Sequence, residues 1–197
     1  SSAQVDAPTG ATVLAAFSTR LPMGARSALA LGLCASDAIC EVPLKRWSAD
    51  ACSATPDPIA SRVRHGGFVE SVTLFDNDRF RIAPAEAASM DPQQRLVLEH
   101  GYAALHATGA SMACLDESGT GVFIGVQACE FPELLAALPG SSSVYSILGS
   151  SHAVTCGRMS YVLGMRGPCA SYDTACSAGL VAEHAGSSAL VLGECTS

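Results

Sequence analysis

From residue 92 to 105 the chain repeats apolar positions at helical spacing, with Leu98, Tyr102 and Leu105 falling on one face. Asp91 stands where it can cap the first turn, and Pro92 suits the first helical position. Gln94 is placed to complete a capping box, and Gly109 ends the run. The pattern changes at 121–126, where GVFIGV is apolar at every position. Such a segment fits a strand covered on both faces of a parallel sheet. Residues 11–17 read as a second buried strand, and 28–38 as a helix. Residues 42–58, with two prolines near their end, read as a surface excursion, and 61–80 as irregular with short extended pieces around 66–69. The Ser-rich stretch 141–151 is expected to be a loop entering a helix near Ala153. Residues 161–163 and 170–174 bracket a turn at Gly164–Gly167. Strands alternating with helices predict an α/β layered fold without internal repeats.

Composition narrows the class. The 197 residues are 49% hydrophobic and only 15% charged, which favours a close-packed body over disorder. A net charge of -7 with no run of Lys or Arg argues against a nucleic-acid surface or an anionic membrane surface. The longest apolar runs fall well short of the ~20 residues of a transmembrane span. Nine cysteines, odd in number and irregularly spaced, do not form a disulfide framework, so a reducing compartment (cytoplasm or organelle stroma) is expected. The first residue is Ser1 and not Met, and reads as a processed N-terminus.

The candidate chemistry lies at Cys176, where the extended run from Tyr172 turns into an Ala-rich helical stretch. A helix N-terminus favours thiolate over thiol, and its amides can receive a developing oxyanion. Against this stands the ordinary behaviour of cysteine in apolar sequence, which is to pack as a small hydrophobe. Other patterns carry less. Gly119-x-Gly121 precedes a strand, whereas a phosphate-binding loop follows one. His152 and Cys156 share helical spacing and Cys169 lies near, but no further ligand pattern accompanies them, so no metal site is expected. His65, His100 and His106 read as ordinary polar residues, and Asp91 and Glu99 as a cap and a surface carboxylate.

Several segments in order resemble the N-terminal part of β-ketoacyl synthases, above all ketosynthase domains of modular polyketide and fatty acid synthases. They are VPLKRW at 42–47, GGF at 66–68 with FD at 75–76, MDPQQRLVLE at 90–99 and GVFIG at 121–125. GRMSYVLGMRGP at 157–168, DTACS at 173–177 and GEC at 193–195 complete the series. The resemblance covers essentially the whole of residues 1–197. It implies a thiolase-like layered α/β fold, of which this is the N-terminal half only. It implies that Cys176 accepts an acyl group from a phosphopantetheine thioester on an acyl carrier protein, with no cofactor bound to the chain itself. Residues 168–174 would pair across a dimer interface.

The family completes its site with two histidines and a lysine from the C-terminal half, together with a second oxyanion-hole amide, and these 197 residues do not contain them. His184 cannot replace them, because eight helical residues place it ~12 Å from Cys176 along the axis, beyond the contact of about 3 Å that a general base needs. Ala178 and Gly179 replace the usual small hydroxyl residues, and Glu183 with the small residues 185–188 interrupts a helix face the family keeps apolar. Three functions compete on this reading. The chain is part of a condensing enzyme whose other half is supplied by a partner, or a non-catalytic accessory subunit of a larger assembly, or a thiol catalyst alone. A lone thiolate without base or complete oxyanion hole argues against the third. Either of the others requires a protein partner, since half a fold leaves a large apolar face bare.

Overall fold

The computed structural model describes residues 3–6, 12–15, 21, 28–46, 63–127, 130–137 and 144–197. The chain divides into two compact units, residues 19–72 and residues 1–18 with 73–197.

In the larger unit, β1 (Ala3–Asp6) and β2 (Thr12–Ala15) form an antiparallel pair in which Ala3 faces Ala15. The predicted strand at 11–17 is thus seen at 12–15. In the smaller unit, α1 (Ala28–Leu33) ends five residues earlier than the pattern predicts. Ala35 turns left-handed at φ 49°, the Ser36 amide donates to the Leu31 carbonyl, and the Asp37 carboxylate accepts from the Ile39 amide. That local Asx bond competes with helix continuation. Strands β3 (Cys40–Glu41) and β4 (His65–Gly66) then pair antiparallel. Val42, expected on a surface excursion, is buried, and its amide donates to the Arg64 carbonyl. Residues 47–58 of that predicted excursion lie outside the described residues.

The body of the larger unit runs through α2 (Pro84–Ser89), α3 (Pro92–Ala107), α4 (Met112–Leu115), β5 (Val122–Gly125), α5 (Phe131–Ala136), α6 (Ser146–Ser150), α7 (His152–Leu163), β6 (Cys169–Tyr172) and α8 (Ala178–Leu192). β5 and β6 are parallel, with Val122 opposite Cys169 and Gly125 opposite Tyr172. Val122 joins a core with Met90, Leu98, Cys156, Met159 and Leu163, and Ile124 packs against it. The alternate residues turn the other way, where Phe123 lies beside Gly186 of α8 and Gly125 beside the start of that helix. Helix, sheet and helix therefore form three layers, and apolar residues on both faces of β5 are what such a strand needs.

The α3 cap departs from the expected box. The Asp91 carboxylate accepts from the Gln93 amide at 2.7 Å, but Gln94 does not reach back. Its Nε2 donates to the Leu148 and Ser151 carbonyls at 3.1 and 3.2 Å, and its Oε1 accepts from Arg158 Nε at 3.0 Å. Arg158 also pairs with Glu86. Gln94 is buried, so its hydrogen bonds go to whatever surrounds it rather than to its own helix end. Asp91 is buried as well, with its amide donating to the Gly149 carbonyl at 2.8 Å. Glu99 is half-buried and not a surface carboxylate. Burial lowers the pKa of the neighbouring Arg95, while Asp91 and Glu99 act to raise it. Part of the Ser-rich stretch forms α6 instead of a loop, and residues 161–163 close α7, which Gly164 ends at φ 71°.

Candidate active site

Cys176 stands at the C-terminal end of the parallel pair, in a 3-10 turn (Ala175–Ser177) between β6 and α8. The turn is built from local chemistry. Thr174 leaves the strand at φ -130°, ψ 37°, and Ala175 takes the left-handed conformation at φ 52°. A residue with a Cβ pays roughly 1–2 kcal/mol for that conformation. Ser177 Oγ donates to the Thr174 carbonyl at 2.8 Å and lies 3.0 Å from Thr174 Oγ1, which clamps the turn from its other side. The result reverses the chain within three residues and leaves Cys176 exposed.

The first amides after the cysteine are not left open. Ser177 N donates to the Thr174 carbonyl at 3.2 Å, and Ala178 N to that of Ala175. The 3-10 turn has consumed donors that a helix start was expected to offer, since a tighter i to i+3 pattern satisfies them internally.

Two glycines fix where this turn sits. A Cβ on Gly125 would lie 2.5–2.7 Å from the backbone of Ala178 and Gly179, so only glycine lets β5 approach the start of α8. A Cβ on Gly167 would strike the Thr120 carbonyl, so the turn before β6 also closes on the loop before β5. That loop is tied further by Glu117 N to the Gly164 carbonyl, by Arg166 N to that of Ser118, and by an exposed Arg166–Glu117 ion pair. Thr196 N donates to the Gly119 carbonyl and Gly121 N to that of Ser197, which brings the segment following α8 beside the same loop.

His184 lies two turns into α8 and is exposed, so the structure does not bring it to the cysteine. His65 belongs to the smaller unit, and His106 stacks near Tyr102 at 5.9 Å between ring centroids. Among the described residues no group of three or more His, Cys, Asp or Glu side chains could hold a metal ion. No helix among them is long and apolar enough to cross a membrane. Gly125 and Gly167 are positioning residues whose role the sequence analysis does not assign, although Gly125 interrupts the strand expected at 121–126 and Gly167 closes the expected turn, so each carries a visible signal.

Parallel strands layered between helices form a thiolase-like α/β fold, with the exposed Cys176 thiol at the strained elbow between β6 and α8. The chain belongs to the β-ketoacyl synthase family: residues 13–197 match the family's "Beta-ketoacyl synthase, N-terminal domain". It is 44% identical over 161 residues to a phenolphthiocerol/phthiocerol polyketide synthase of Mycobacterium tuberculosis, covering 80% of this chain and 10% of that protein. It is 38% identical over 203 residues to polyketide synthase GfsB of Streptomyces halstedii, covering 98% of this chain and 4% of that one. In structure it resembles the ketosynthase from module 6 of the bacillaene synthase of Bacillus subtilis, with TM-score 0.77 and 32% identity over 92% of this chain and 30% of that one. The chain is thus a ketosynthase-like polyketide synthase domain in its N-terminal part, and spans about a tenth or less of the length of these curated relatives.

Proposed function

We propose that the chain is the acyl-accepting part of a condensing enzyme of polyketide or fatty acid synthesis. The Cys176 thiolate attacks the carbonyl of an acyl thioester carried on the phosphopantetheine of an acyl carrier protein. The tetrahedral oxyanion collapses, the phosphopantetheine thiol leaves with a proton, and an acyl-Cys176 thioester remains. The rest of the ketosynthase fold, supplied by further chain or by a partner, brings the two histidines and the lysine. Those residues assist decarboxylation of the malonyl extender and stabilise the enolate that attacks the acyl group. The same reading makes residues 168–174 the strand that pairs across a dimer.

One observation supports this most: Cys176 is exposed on a left-handed turn whose strain a packed core cysteine would have no use for. The test uses the chain in its purified assembly with an acyl-pantetheine thioester, read by intact-protein mass spectrometry. The wild type is expected to gain one acyl mass, lost on cleavage of the thioester with hydroxylamine, and Cys176→Ala none. An intact assembly whose wild type never acylates would overturn this reading and leave the accessory-subunit role.

A further inference from the structure

Residues 77–82 close a single helical turn, and Arg81 stands at its end. The Ile82 amide donates to the Asn77 carbonyl at 3.0 Å, and the Arg81 amide to that of Asp78 at 3.1 Å. This pair of bonds is the Schellman arrangement, in which the residue after the cap turns left-handed and is ordinarily glycine. Here it is arginine, at φ 55°, a conformation that crowds its Cβ. Strain of this kind persists where the side chain has a use. Arg81 lines a cavity of about 480 Å³ together with Arg79, Asp116, Tyr161 and the buried Phe80 and Leu163. That volume suits a small-molecule ligand. Phe80 stacks on Phe75, and the arginines on either side of it in sequence are exposed. The Arg79 guanidinium lies over the Tyr102 ring, 4.6 Å from its centroid. Stacking orients the guanidinium plane and leaves its edge donors unspent. Among the described residues, neither guanidinium donates a hydrogen bond or joins an ion pair. The carboxylates nearest in sequence are engaged otherwise, Asp76 accepting from the Arg79 amide and Asp78 from the Asn77 side chain.

We propose that this cavity binds a small phosphate monoester carrying hydroxyl groups, such as a sugar phosphate. Two unpaired guanidinium groups at one cavity, in a chain of net charge -7, hold the phosphate, whose oxygens match planar N–H donors through paired, charge-assisted hydrogen bonds. Asp116 sets the other half of the ligand. Its carboxylate lies on the same cavity against Gly164, repels a bare anion and accepts from a ligand hydroxyl. Tyr161, 88% exposed, supplies an aromatic surface with a polar tip for the uncharged part. The cavity lies where α7 ends ahead of β6, whereas Cys176 follows β6. The site is therefore separate from Cys176 and does not depend on its role.

The test is isothermal titration calorimetry of the chain, purified with whatever it assembles with, using ribose 5-phosphate, ribose and inorganic phosphate in turn. Ribose 5-phosphate is expected to saturate a single site per chain, with ribose and inorganic phosphate each bound about tenfold more weakly or worse. Arg81→Gly removes the guanidinium and the backbone strain together. Its urea midpoint should rise or stay unchanged, while its affinity for ribose 5-phosphate falls about tenfold or more and acylation of Cys176 is unaffected. The absence of saturable ribose 5-phosphate binding to the wild type would overturn the proposal. So would equal affinity in the wild type and Arg81→Gly, or inorganic phosphate binding as tightly as the sugar phosphate. If the variant does not fold, the three wild-type titrations still decide.

Discussion

At the scale of single residues, the sign of a substitution at Ala175 tests the elbow. Replacing alanine by glycine ordinarily destabilises, because glycine loses more backbone freedom on folding. At φ 52° the balance reverses, since glycine meets no Cβ penalty in the left-handed region. Ala175→Gly should therefore stabilise the chain by ~1 kcal/mol, or leave it unchanged, in urea denaturation; a loss would mean that the turn is not left-handed there. A second residue-scale contrast concerns two thiols. Ser111 Oγ donates to Cys114 Sγ at 3.2 Å, and this hydrogen bond, with the one from the Ser111 backbone, lowers the Cys114 pKa. Cys169 is raised by burial and by Cys156. Because the thiolate is the reactive form, Cys114 should alkylate at lower pH than an ordinary cysteine and Cys169 only at higher pH. Residue-resolved alkylation over a pH series spanning the ordinary thiol range checks both directions, and Ser111→Ala should move the Cys114 curve upward alone.

At the scale of elements, the elbow is held by the contact between β5 and α8. Gly125→Ala would place a methyl group 2.5–2.7 Å from helix backbone, which cannot rotate aside as a side chain could. The expected cost is about 1–3 kcal/mol, with slower acylation of Cys176 because the start of α8 must move. Equal acylation rates in the two proteins would show that the elbow is positioned otherwise. The same elements show what a sequence can and cannot reveal. α3, β5 and β6 are legible because each is defined by its own periodicity and by end signals such as Pro92 and Gly109. Gln94 is not, because its partners, Leu148, Ser151 and Arg158, lie more than fifty residues away, and no local pattern records them. The early end of α1 escapes the pattern because it turns on one Asx bond from Asp37, weighed against a continuing apolar run. Cys176 can be picked out by its place at a strand-to-helix junction, whereas the capture of the following amides by a 3-10 turn cannot.

At the scale of the molecule, α8 is unequally covered. Ala178, Ala182 and Ala189 are buried on the side of β5. On the opposite face Leu180, His184, Ser187 and Val191 recur at i, i+4, i+7 and i+11, all exposed, with Leu180 at 73% and Val191 at 62%. A 15-residue helix that carries exposed Leu180 and Val191 opposite its buried face has apolar surface on both sides, as a helix inside a layered body does. The solved ketosynthase from the bacillaene synthase is more than three times as much chain as this one covers, so there is ample further fold to lie on that face. Under the proposed function, the occupant is the complementary part of the ketosynthase. A charge placed there should then separate two effects that a core mutation would confound. Leu180→Glu with Val191→Glu should leave the urea midpoint of this chain nearly unchanged, because both sites are already in water. It should sharply weaken co-purification with the complementary part, because two carboxylates would have to be buried without partners. Unchanged assembly would place the partner on another face. A comparable loss of stability in the isolated chain would mean that the outward side of α8 is already packed.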